Sequence, residues 1–291
     1  MKNQVFYSLF WMALSGFSFS LMSLLVKLLS IHYEHQQIVF FRASVNFIFV
    51  LTLMLIRKER LNPPGKKLLF FRGFMGFLSL ISFFYALIHL PLSISSILNW
   101  CSPIFVFIIS ALVLKEYHQR HLFIWVALTF IGLYFLLNPH FTHQTQQLSP
   151  LAIGVGIMGA LFSSLAFVAV RAATKSVGVN AIVLYFTGTA TVLSLPFVWS
   201  HFLMPSSLHD WFLFIGMGLF ASGGQFAMTM GYRYSAAGLV STFSLLGAAF
   251  SSLWGYLILG ELLSTIQWAG MGLMAVGISF VAWRSAGKPD K

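Results

Sequence analysis

The chain has 291 residues, of which 58% are hydrophobic and 8% charged, with a mean hydropathy of +0.87 and a formal net charge of +11. No water-soluble domain has that balance, so the composition excludes a soluble enzyme and indicates a polytopic membrane protein. A single cysteine, Cys101, excludes an internal disulfide.

A membrane-spanning helix needs about 20 apolar residues. Ten such segments follow one another at residues 7–28, 37–56, 68–88, 92–114, 121–138, 151–172, 180–199, 210–231, 237–259 and 265–283. They use nearly the whole chain and leave no room for a soluble catalytic domain. The first follows Lys2 and is too long for a signal-peptide core, so it is expected to remain as an uncleaved helix. The expected fold is an all-α membrane protein of ten transmembrane helices.

The second half of the sequence repeats the first. A shift of 145 places Glu116 on Glu261 and Gly132 on Gly277, and a shift of 144 places Lys27 on Arg171. Five spans per copy is an odd number, so the second copy enters from the opposite face. That arrangement, a 5+5 inverted repeat, is the architecture of alternating-access carriers. Charge gives an independent reading. With the N-terminus inside, the inner segments hold Lys2; Arg57, Lys58, Arg60, Lys66, Lys67 and Arg72; Lys115 and Arg120; Arg171 and Lys175; Arg233; and Arg284, Lys288 and Lys291. The outer loops hold no Lys or Arg, which predicts both termini in the cytoplasm. The charge thus marks orientation rather than nucleic-acid binding, and the basic loop 57–72 is expected to lie against anionic lipid.

Polar residues inside spans are the candidates for function. In span two, Arg42 either anchors a substrate carboxylate or phosphate through a bidentate contact or snorkels to the headgroups. In span four, Pro103 deprives the Asn99 carbonyl of its helical partner, and Asn99 and Trp100 lie at the same depth. The corresponding place in span nine is Gly247-Ala248-Ala249. Paired weak points near the midplane mark a substrate cavity, unless neighbouring helices fill the kink. Trp100 and Trp254 lie deeper than the other tryptophans; with Tyr85 and Tyr256 they suit stacking on a flat or cationic guest, or plain packing. Gln225 in span eight could hydrogen-bond either a substrate or a helix. Gly247, Ser251 and Gly255 share one face of span nine, read as helix packing.

At the span ends, Lys27, Glu116, Arg171 and Glu261 are gate candidates, against snorkelling for the cations and helix capping for the acids. No Asp or Glu falls at mid-membrane, which favours a facilitator or exchanger over a carrier with a central proton-binding carboxylate. The nine histidines fall in loops or at span ends, and the pairs His32/His35 and His140/His143 lack further ligands. No metal and no cofactor is expected, and no nucleotide-binding loop is present.

Phe40-Phe41-Arg42, the run Pro103 to Phe107, Glu116 with Gly132, and Glu261 with Gly277 together resemble the drug/metabolite transporter superfamily in its EamA-type ten-span branch. The resemblance covers 8–138 and 150–284; the second copy has Ala248 in place of the proline. It implies a carrier in the bacterial inner membrane with repeats at 5–138 and 150–284, a cytoplasmic tail at 285–291, and a central cavity lined by both repeats. Relatives carry amino acids, S-adenosylmethionine, nucleosides or nucleotide-sugars. The expected activity is secondary transport of a small polar or amphipathic metabolite, an amino acid or related compound foremost. A lipid head-group flippase and a non-transporting scaffold are the alternatives, and monomer and homodimer are both open.

Overall fold

The computed structural model describes residues 2–90, 98–116, 122–137, 149–199, 202–260 and 262–286. Glu261, the linker 139–148, His118, His121 and His201 lie outside the described residues. Everything regular among the described residues is helix: α1 (Lys2–Leu29), α2 (His35–Ile56), α3 (Lys66–His89), α4 (Ser102–Val113), α5 (Leu122–Leu137), α6 (Pro150–Ala173), α7 (Val179–Val198), α8 (Leu208–Tyr234), α9 (Ala237–Phe243), α10 (Leu246–Leu259) and α11 (Thr265–Ala286). Eight helical stretches are long and apolar enough to cross a membrane, with α9 and α10 counted as one; the apolar helices at 98–113 and 122–137 are shorter. In hydrocarbon a helix satisfies its own backbone groups, which is why apolar runs of this length take no other form.

Burial is inverted relative to a soluble protein. Ile56, Leu112, Trp199 and Leu262 are exposed, while Ser8, Ser110, Ser164 and Ser241 are fully buried. Small polar side chains in the interior permit close approach, and each of these serines except Ser8 turns its hydroxyl back to its own helix. Ser8 Oγ instead donates to the Gly231 carbonyl at 3.0 Å, tying α1 to α8.

The helices pack as α1 against α8 and α10, α3 against α6 and α7, α2 against α7 and α8, α4 against α6 and α9, and α5 against α11. The α5–α11 crossing is built on glycine. A Cβ on Gly132 would come within 2.6 Å of the Met274 nitrogen, and one on Gly277 within 2.9 Å of the Trp125 carbonyl oxygen. Gly132 meets residues 270 and 274, and Gly277 meets 125 and 129, so adding 145 exchanges the two contacts. A second close approach joins α1 to α10, where a Cβ on Gly16 would lie 2.9 Å from the Gly247 nitrogen.

Two interruptions shape the interior. Residues 98–100 form a helical turn that ends at Cys101, and α4 begins at Ser102 with Pro103 in its first turn, where the missing N–H costs nothing. The second interruption falls at Ser244–Leu245, between α9 and α10, rather than at Gly247-Ala248-Ala249. Tight three-residue hydrogen bonds hold both: Ile104 N to the Cys101 carbonyl at 3.0 Å, and Gly247 N to the Ser244 carbonyl at 3.0 Å. Gly247 and Gly255 pack as expected of their face, whereas Ser251 opens on to the interior cavity.

Candidate functional site

A cavity of about 570 Å³ lies between α1, α2, α3, α6, α7, α8 and α10, with the 98–100 turn on its wall. Arg42, Asn99, Trp100 and Gln225 line it, bringing together residues from three separated regions of the sequence. Arg72 lines it too. The sequence groups it with the inner basic loop 57–72, but it lies seven residues into α3 and is only 3% exposed. About one turn of helix separates it from Lys67, and that turn takes it off the surface, so the exposed basic run stops before Arg72. Its Nη2 donates to Gln225 Oε1 at 3.2 Å, and its guanidinium carbon sits 3.7 Å above the Phe186 ring. Gly76 makes room: a Cβ there would lie 2.6 Å from Arg72 Nη1.

The polar groups of this cavity are under-satisfied. Arg72 Nε and Asn46 Oδ1 are buried without a hydrogen-bond partner. Among the described residues no carboxylate lines the cavity, and His35 is the only titratable group there besides the two arginines. The cavity adjoins a vestibule of about 670 Å³ formed by residues 30–36, the last turns of α3 and the end of α7. Ser30, His35, Val39, Leu80 and Phe84 belong to both. His35 stacks on Phe84 with ring centroids 5.8 Å apart, so one of the loop histidines stands at the junction. Nearby, Tyr33 donates to Asp210 Oδ2 at 2.9 Å; burial and that carboxylate raise the phenol's pKa above its ordinary value.

The opposite end of the bundle is tied shut. Lys115 adopts a left-handed conformation (φ 55°), and Glu116 N closes back on the Ser110 carbonyl at 3.3 Å, a turn that stops α4 and sets the direction of Glu116. Glu116 Oε1 then accepts from Arg171 Nε at 2.8 Å, and Oε2 accepts from the Ala237 N–H at 2.8 Å. Arg171 Nη1 also donates to the carbonyls of Tyr232 and Arg233. Glu116 thus satisfies the open N-terminus of α9, across the bundle from its own helix. This one cluster joins α4, α6, α8 and α9.

Residues 6–138 and 150–283 each match the EamA-like transporter family. The chain belongs to that family. The pseudopaline exporter CntI of Pseudomonas aeruginosa is 32% identical over 263 residues, covering 90% of this chain and 91% of the exporter. An uncharacterized transporter of Helicobacter pylori is 25% identical over 272 residues, covering 90% and 89% of the two chains. A protein of known crystal structure superposes with a TM-score of 0.79 at 16% identity, covering 94% of this chain and 98% of the other, and shares the fold. The chain is a multi-pass membrane transporter of the EamA-like family.

Other candidates stand apart from the central cavity of this transporter. Tyr85 lines the vestibule and stacks on His89. Pro103 is buried and shapes the interruption without lining the cavity. Trp254 donates its indole N–H to Ser20 Oγ at 2.8 Å and packs edge-on to Phe17, so it fastens α10 to α1. Tyr256 is 42% exposed and meets Trp268 at the outer surface of the bundle. Two residues on a helix are separated by about 200°, so Trp254 and Tyr256 cannot face one cavity. Lys27 is exposed in the last turn of α1, at the vestibule end.

Proposed function

We propose that this EamA-family transporter moves a small polar or amphipathic metabolite, an amino acid or a related compound, across the bacterial inner membrane by alternating access. The observation that carries the reading is the polar cavity joined to a vestibule at one end and tied off at the other by Glu116 and Arg171. The vestibule end is the outer one, because the basic loop 57–67 lies with Arg171 and Arg233 at the tied end. The Glu116–Arg171 cluster is the inner gate. Similarity to a pseudopaline exporter supports outward transport.

Two five-helix repeats, 5–138 and 150–284, ten spanning helices and cytoplasmic termini complete the reading. Supporting it, the Gly132 and Gly277 contacts exchange under a shift of 145. The loop clasps at the two ends lie at related but not identical offsets: Asn180 Nδ2 donates to Glu59 Oε1 at 2.8 Å, while Gln37 exchanges two hydrogen bonds with the backbone of Leu203, so the equivalent residues are 144 apart for Glu59 and Leu203 and 143 apart for Gln37 and Asn180.

The test is accessibility combined with flux. With Cys101 replaced by serine, single cysteines at His35 and at Ser235 report the two ends of the full-length protein in liposomes. Alternating access predicts that a carried amino acid changes the two labelling rates in opposite directions while labelled solute crosses. Parallel changes at both sites and no solute flux would remove the reading. Movement of lipid head groups in place of solute would put the flippase in its stead.

A further inference from the structure

Taking the central cavity as the site of the carried solute, we infer that the substrate is an organic anion bearing two negative charges, held by Arg42 and Arg72. The residues argue this by charge count. Arg72 is buried; among the described residues it donates a hydrogen bond to a neutral amide, Gln225, lies over the face of the Phe186 ring, and has the buried phenol of Tyr232 within electrostatic reach, none of them an anion. Its Nε has no hydrogen-bond partner. Arg42 opens on to the same cavity and makes no hydrogen bond to any described residue. Among the described residues no Asp or Glu lines the cavity. A guanidinium inside a membrane protein without a counter-charge is costly, so such a group pairs with an anion or marks where one binds. Two in one cavity also repel each other. A neutral zwitterion brings one carboxylate and one ammonium and so leaves the surplus of two positive charges unchanged, and a monoanion would leave one cation uncompensated. A guest with two acidic groups satisfies both, and the guanidinium fork is built to hold carboxylate or phosphate oxygens in pairs.

The rest of the wall describes the remainder of the guest. Trp100, Phe83, Phe84, Phe167 and Phe186 give it apolar and aromatic surface. The side chain of Asn99 and the indole N–H of Trp100 have no hydrogen-bond partner among the described residues. Asn46 Oδ1 waits for a donor. The site therefore fits an aromatic or amphipathic skeleton with two acidic groups and an N–H or O–H between them. An amino-acid derivative with a second acid falls in this class.

The experiment uses purified full-length protein and a probe series of one skeleton: N-benzoylglutamate with two carboxylates, N-benzoylglutamine with one, and the corresponding diamide with none. Binding is read by thermal stabilisation, which rises with ligand occupancy, and flux is read in liposomes. The expected result is that losing one carboxylate weakens binding about tenfold or more and losing both abolishes it. Arg42→Gln and Arg72→Gln each bring N-benzoylglutamate down to the affinity of the monoanion on the native protein. Arg72 is buried and Arg72→Gln can fail to fold, so phenylglyoxal modification of the native chain supplies a second measurement. The dianion protects Arg42 and Arg72 from the reagent, and the diamide protects neither. Benzyl phosphate binding as tightly as N-benzoylglutamate would support the dianion class with both charges on one group. Affinity independent of carboxylate number, or no protection of either arginine, overturns the proposal. Dianion binding without flux would keep this site and remove the carrier reading; flux of the diamide at the rate of the dianion would do the reverse.

Discussion

The interruption at Asn99–Pro103 and the one at Ser244–Leu245 occur at matching places in the two halves of the chain, yet their side chains do different things. In the first, Asn99 and Trp100 face the cavity, and their side chains make no hydrogen bond to any described residue. In the second, Leu245 is fully buried against Leu133, Leu136 and Met274, and the Ser244 hydroxyl returns to the Ser241 carbonyl at 2.6 Å. The same contrast recurs in α2 and α7. Arg42 offers a cation to the cavity, and the residue 144 positions later, Phe186, offers a ring on which Arg72 rests. A backbone shape can be duplicated while its chemistry is divided: the first half supplies both arginines of the cavity, and the second supplies Gln225 and Phe186, the amide and the ring that hold Arg72 in place.

Six substitutions put pressure on this division. Leu245→Ala removes a fully buried side chain and is expected to lower stability by about 2–5 kcal/mol, read as early thermal unfolding in detergent. Trp100→Ala at the matching position should cost much less stability and instead weaken ligand binding; equal unfolding shifts for the pair would erase the contrast. Glu116→Gln removes the charge from the inner tie, where both partners are less than a fifth exposed. The loss of about 1.5–3 kcal/mol should raise labelling of a cysteine at Ser235 by about tenfold or more, and an unchanged rate would show that the cluster does not close this end. Asn99→Ala should weaken binding roughly two- to tenfold, while Ser244→Ala leaves it within about twofold. The smallest effect is expected at Trp254→Phe, which loses one hydrogen bond to Ser20 worth about 1 kcal/mol of stability and leaves transport rate and affinity as they were.

The helices were legible because hydrocarbon imposes so simple a rule, and the segments expected at 37–56, 121–138 and 180–199 differ from the observed helices by at most two residues at either end. The break before α4 was legible through Pro103. Its counterpart was misplaced by about three residues because Ser244 and Leu245 carry no backbone signal; tertiary packing alone stops α9 there. Arg72 was hidden by its neighbours, since the cluster Lys66–Lys67 makes a cation a few residues further look like part of the same basic loop. Depth in the membrane singled out Trp254 and Tyr256, but depth says nothing about which side of a helix a residue occupies. The pairing of Glu116 with Arg171 joins residues 55 apart in sequence, and only the folding of α6 against α4 brings them together.

The lone thiol of the chain belongs to Cys101, half-buried at the turn between Trp100 and α4. Spectroscopy therefore needs no removal of background cysteines. A maleimide dye added to the unaltered protein attaches beside the break in the first half and nowhere else. Its emission reports how wet and how mobile that turn is, and quenching by the adjacent indole makes it sensitive to the rotamer of Trp100.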